Sequence, residues 1–238
     1  MKPATTVPDP SLARAAMPPT AVLFGFDGVL ADVENVHVVA WQRTLSRLGW
    51  EAPDDVAARA AAMDDRGFAA ETFARRGAVD ADLDGWVRAK RELTARMIGL
   101  NPRPFPGVVP LVRALAGRVR LAIVADDRRE DVDAFLAATR LTDAFELVVA
   151  AGDAPSPPPA PDALLAALTR LGVAAAEAVA VAASPPTLAA AVAAGVPSVA
   201  VGHRLEAGGW SAGATFVPDL EPPADALAAL GFDDRSAS

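Results

Sequence analysis

Residues 21–41 read AVLFGFDGVLADVENVHVVAW. The short continuous apolar run at 21–26 has the length and composition of a buried parallel strand. A helical pattern follows it. Between them, Phe24 to Leu30 (FGFDGVL) places a lone acid, Asp27, and two glycines at a strand-to-helix turn. A turn of that composition is suited to phosphate or a metal. Runs of the same kind recur as VRLAIVA (119–125), FELVVA (145–150), AVAVAA (178–183) and PSVAVG (197–202). Helical patterns alternate with them: GVVPLVRALAG, REDVDAFLAATRL, PDALLAALTRLGV and SPPTLAAAVAAG. The glycine after each of the last two fits a helix C-terminus. Such alternation predicts an α/β fold, a doubly wound parallel sheet covered on both faces. Its ligand site belongs at the carboxyl ends of the strands.

Residues 34–104 break the alternation. VVAWQRTLSRLGW, PDDVAARAAAM, RGFAAETFARRG and LDGWVRAKRELTARMIGL are all helical in pattern. They predict a helical cap inserted after the first strand. The expected organisation is therefore a flexible arm over 1–18, a core from 19–33 and 105–222, a cap over 34–104 and a loose tail over 223–238.

Composition limits the function classes. Of the 238 residues 52% are hydrophobic, which predicts a globular chain with a sizeable core. The net charge of −8, with no long basic run, argues against nucleic acid or an anionic membrane as partner. There are no cysteines, hence no disulfide framework and no thiolate chemistry. Two histidines, His37 and His203, are too few to suggest zinc. No apolar run approaches the roughly 18 residues of a membrane span, and the proline-broken N-terminus has no secretory stretch. The expected compartment is the cytoplasm.

The four segments FGFDGVLADVENVHVVAW, RLAIVADDRREDVDAFL, PPAPDALLAALTRLGV and AVAVAASPPTLAAAVAAGVPSVAVG, with PFPGV between cap and core, resemble the haloacid dehalogenase (HAD) superfamily. The likeness is to its helical-cap branch, nearest to β-phosphoglucomutase-like and phosphoglycolate phosphatase-like members, and it covers about residues 20 to 205. It implies a HAD-like Rossmannoid core. In register with the family's first motif are Asp27, Gly28, Val29, Leu30, Asp32, Glu34, His37 and Trp41.

The resemblance implies catalytic losses. The family's nucleophilic carboxylate, also a Mg²⁺ ligand, falls on Gly25. The general acid/base falls on Asp27, which survives. The phosphate-binding hydroxyl falls on Ala125 and the phosphate-binding lysine on Pro158. The Mg²⁺-binding acids fall on Ala182 and Ala183, with Ser184 remaining. Phosphoryl transfer depends on positioning, a cation and charge neutralisation, and this loop lacks the side chains for each. The expectation is a pseudophosphatase that acts by binding a small phosphorylated ligand or a protein partner, with no cofactor. Two alternatives stand beside it. One is an active Mg²⁺-dependent phosphatase or β-phosphoglucomutase-like enzyme. The other is different chemistry at a displaced acidic site of Asp27, Asp126 and Asp127, which would also be the metal site.

The remaining candidates each carry two readings. His37 is a ligand contact by resemblance, or a packed hinge residue sharing a helix face with Trp41. Arg66 falls where mutase-like members bind the substrate's distal phosphate, or is a solvated helix-end arginine. Ser184 is the retained member of the fourth motif. Asp126 and Asp127 are site acids, or caps for the following helix. Lys90 and Arg91 are expected on a solvated helical face. APSPPPAPD (154–162) is a polyproline strip or a rigid surface loop.

Overall fold

The computed structural model describes residues 18–78, 82–205 and 213–232. Its strands are β1 (Ala21–Phe24), β2 (Arg120–Val124), β3 (Leu147–Val149), β4 (Ala178–Ala182), β5 (Ser198–Val201) and β6 (Thr215–Val217). Its helices, in chain order, are α1 (Glu34–Ser46), α2 (Val56–Ala62), α3 (Asp65–Arg75), α4 (Leu83–Leu100), α5 (Val108–Leu115), α6 (Arg129–Thr139), α7 (Asp162–Leu171), α8 (Pro185–Ala193) and α9 (Pro223–Ala229). No helix among the described residues is long and apolar enough to cross a membrane.

The strands form one parallel sheet in the order β3-β2-β1-β4-β5-β6. This is the doubly wound arrangement expected, and its order reverses between β1 and β4. Phe24, the last residue of β1, lies beside Ile123 of β2 and Val181 of β4. The chain segments that leave these three strands therefore start side by side. Below them, Leu164, Ala167 and Leu168 of α7 and Ala190 and Ala191 of α8 pack on Leu23, Ala122 and Ala180. Alanines on both layers let the helices lie close to the sheet without filling the space at its carboxyl edge.

Contacts divide the chain into two compact units. The first holds the sheet and comprises residues 1–30, 104–129 and 141–238. The second comprises 31–103 and 130–140, so most of α6 joins the inserted helices. Sequence placed that helix in the core because it follows a strand. In the second unit Trp41, Leu45, Phe68, Phe73 and Val87 make a buried cluster, with the Trp41 and Phe68 ring centroids 4.5 Å apart.

Two further expectations need correction. The loose tail begins too early: α9 forms there, and Ala226, Leu230 and Phe232 are buried. Its few apolar residues look sparse in sequence, yet these three are packed away from solvent. Strand β6 was not expected, because three residues at a sheet edge make no recognisable run. Residues 1–17 of the expected arm and 233–238 of the tail lie outside the described residues. The PFPGV return depends on Gly107, whose φ is +78° and where a Cβ would come 2.0 Å from the Leu220 carbonyl oxygen. No other residue fits that approach.

Candidate functional site

Gly25 follows β1 directly, and its N–H donates to the Val181 carbonyl at 2.9 Å. The chain then turns tightly: the Leu30 N–H donates to Phe26 O at 2.8 Å, and Gly28 has φ +79°. Ala125 follows β2 and is held through its N–H to Val149 O at 2.9 Å. Ala182 ends β4, and Ser184 is the N-cap of α8. Gly25, Ala125, Pro158 and Ala182 line one pocket of about 50 Å³. Four segments distant in sequence thus meet at the reversal point of the sheet, as the strand order requires.

The pocket offers little for phosphate or metal. Among its described lining residues the only polar side chains are Asp126 and Thr187. The Thr187 hydroxyl already donates to Ser184 O at 2.9 Å and lies 2.8 Å from Ser184 Oγ. Ser184 Oγ in turn accepts from the Thr187 N–H at 3.3 Å. The serine hydroxyl is therefore engaged in capping. Mg²⁺ demands near-octahedral oxygen ligation. Gly25, Ala182 and Ala183 supply no side-chain oxygen, so these residues do not fit the ion.

Asp27 lies in the same turn but is not among the pocket's lining residues. Its Oδ2 accepts from Arg204 Nη1 at 2.5 Å, with both side chains about a quarter exposed. A guanidinium of the chain itself thus sits against this carboxylate. Next to it, His203 Nδ1 lies 3.0 Å from Gly28 O. A carbonyl only accepts, so Nδ1 carries the proton. The imidazole also stacks on Phe105, with centroids 3.9 Å apart. This clamp fixes the turn that carries Asp27.

Burial pushes His203 below its ordinary 6.5, outweighing the Gly28 acceptor and Asp219, which pull it up. The unfolded chain then binds more protons just below that value. This contribution to stability is complete above pH 6.5 and is lost as pH falls through the depressed folded-state value. His203→Phe keeps a ring against Phe105 and removes the titration. Its urea midpoint should change less than the parent's between about pH 7.5 and about pH 5.

Asp126 is exposed, and the Asp127 carbonyl accepts from Ala151 N–H at 2.9 Å. Among the described residues no group of three or more His, Cys, Asp or Glu side chains is arranged to hold a metal ion. Asp27, Asp126 and Asp127 are thus not grouped as a metal site among the described residues.

In the second unit the structure overturns the solvated reading of Lys90. Its side chain is 1% exposed. Nζ donates to Asp65 Oδ1 at 2.6 Å and lies 2.9 Å from His37 Nδ1 and 5.5 Å from the Trp41 ring centroid. Arg91 Nε also donates to Asp65, at 3.0 Å, and is 37% exposed. Burial alone would raise the Asp65 carboxyl. The charges and hydrogen bonds of Lys90 and Arg91 outweigh it and hold Asp65 below 3.8. Burial also pushes Lys90 below 10.5, against the pull of Asp65 and Asp131. Periodicity put Lys90 on the polar face, but a long ammonium can be buried when anions meet it. Lys90→Met removes the cation and leaves Asp65 and Asp131 inside. We expect a loss of about 3–5 kcal/mol in the second unit, read by tryptophan fluorescence in urea. His37 is thus part of this buried polar cluster. Arg66, by contrast, is 59% exposed and pairs with Asp84.

Sequence reasoning missed Arg204 and the role of Lys90. Arg204 comes three residues after β5, at the carboxyl end of a strand beside β4, where the strand-end rule could have found it. Lys90 is one of two lysines in a chain that otherwise uses arginine.

Residues 22–201 match the profile of the haloacid dehalogenase-like hydrolases. Protein CbbY of Rhodobacter capsulatus is 32% identical over 219 residues, covering 86% of this chain and 95% of that protein. A phosphoglycolate phosphatase of Rhodospirillum rubrum is 30% identical over 224 residues, covering 91% and 88%. Among solved structures, CbbY from Rhodobacter sphaeroides in complex with phosphate aligns with a TM-score of 0.74 at 24% identity, over 90% of this chain and 99% of that one.

Proposed function

The chain belongs to the haloacid dehalogenase-like hydrolase family, and we propose that within it this protein is a pseudophosphatase that binds a ligand without turning it over. The observation that carries this reading is the glycine after β1. At the carboxyl end of the strand beside the reversal point, residue 25 has no side chain to attack phosphorus. Ala125, Pro158 and Ala182 line the same pocket and supply neither hydroxyl, ammonium nor carboxylate. Asp27, the one acid kept in the turn, is tied to Arg204.

The names of the relatives favour a second reading, an active phosphatase, in which some other group attacks. The two separate cleanly. A phosphate-release panel with Mg²⁺ should stay at background. Turnover that survives repurification and disappears in Asp27→Asn would establish the active reading instead.

A further inference from the structure

The geometry points to a short alkylammonium as the ligand class of the pocket lined by Gly25, Ala125 and Ala182, with its hydrocarbon end inside and its ammonium at Asp126. This inference rests on the non-catalytic reading of the same site.

The pocket holds about 50 Å³, room for a few heavy atoms. Leu23, Val124, Ala163 and Leu164 form its walls beside the three small residues. Water in such a space needs two to four polar partners. Here the Thr187 hydroxyl is committed to Ser184 and the Gly25 N–H to Val181 O. A hydrocarbon group gives up no hydrogen bonds on entering and removes apolar wall from water. An anion loses its hydration and meets no cation among the described lining residues. The one charge among them is Asp126, which is exposed. A positive group placed there keeps its water and gains a carboxylate. The chain's net charge of −8 attracts cations from a distance and repels phosphate.

The test is a ¹H–¹⁵N NMR titration of the full chain with n-butylammonium, n-butanol, butyrate and inorganic phosphate. The expected result is saturable shifts at the amides of Gly25, Ala125 and Ala182 with the first two probes and none with the two anions. Butylammonium should bind about two- to fivefold more tightly than butanol, the range of an exposed charge pair. Asp126→Asn should erase that difference. Ala160→Leu fills the pocket from a loop, where the fold tolerates it, and should abolish both responses. The proposal is overturned if butyrate or phosphate moves the same amides as strongly. It is also overturned if neither four-carbon probe binds, if Asp126→Asn changes nothing, or if Ala160→Leu leaves binding intact. Phosphate release is read separately. Hydrolysis would remove the non-catalytic premise, whereas a failed titration without hydrolysis would remove only the ligand class.

Discussion

Given Mg²⁺ and a panel of phosphate monoesters, the protein should release phosphate no faster than buffer alone. Removing one member of a catalytic unit that acts together costs on the order of 10⁴–10⁶ in rate. Here residue 25 lacks a side chain, and among its described lining residues the pocket holds no ammonium, no uncommitted hydroxyl and no carboxylate but the exposed Asp126. An acid without a nucleophile cannot carry the reaction. Protonating a leaving oxygen contributes about 10²–10⁴ only where a nucleophile is already aligned. Asp27 is moreover engaged in an ion pair with Arg204. The measurement is phosphate release over hours at high enzyme concentration.

Gly25→Asp alone should remain inactive, whereas Gly25→Asp, Ala125→Thr, Pro158→Lys and Ala183→Asp together should gain Mg²⁺ binding and weak phosphatase activity. The single variant puts a carboxylate near Asp27 without a balancing metal or lysine, and neighbouring like charges disfavour ionisation. It is also tight. A Cβ at residue 25 would lie 3.1 Å from Val29 Cγ2 and 3.3 Å from Val181 O. The valine can turn, but the strand carbonyl cannot, so we expect about 1–3 kcal/mol of lost stability. The fuller variant places its groups on segments that already converge. Pro158 lines the same pocket as Gly25 and Ala125, so a lysine there starts at the right wall. Ala183 lies against the Gly28 turn, where a glycine Cβ would be 3.1 Å from its own. Calorimetry with Mg²⁺ and phosphate release decide the outcome. Strong activity from Gly25→Asp alone, or a folded quadruple variant that binds no Mg²⁺, would show that the residue register is wrong.

The sheet was legible because buried parallel strands are continuous apolar runs. AVLF, RLAIV and AVAVA each appear in sequence as they stand in the structure. Strand β6 was not, since Thr215–Val217 borrows its stability from β5 rather than from its own pattern. The convergence of Gly25, Ala125, Pro158 and Ala182 followed from topology and motif spacing together. The ion pairs did not. Arg204 is 177 residues from Asp27, and nothing local in GHRLE marks its partner. Lys90 looked solvated for a related reason: Asp65 and Asp131, which make its burial tolerable, lie on other helices.

The near absence of lysine has a practical side. Lys2 and Lys90 are the only two in the sequence, and the second is sealed among Asp65, His37 and Trp41. An acylating reagent can reach that amine only when the surrounding helices part. The mass added at position 90 over time therefore clocks the opening of this one unit, with no engineered label and no signal from the sheet.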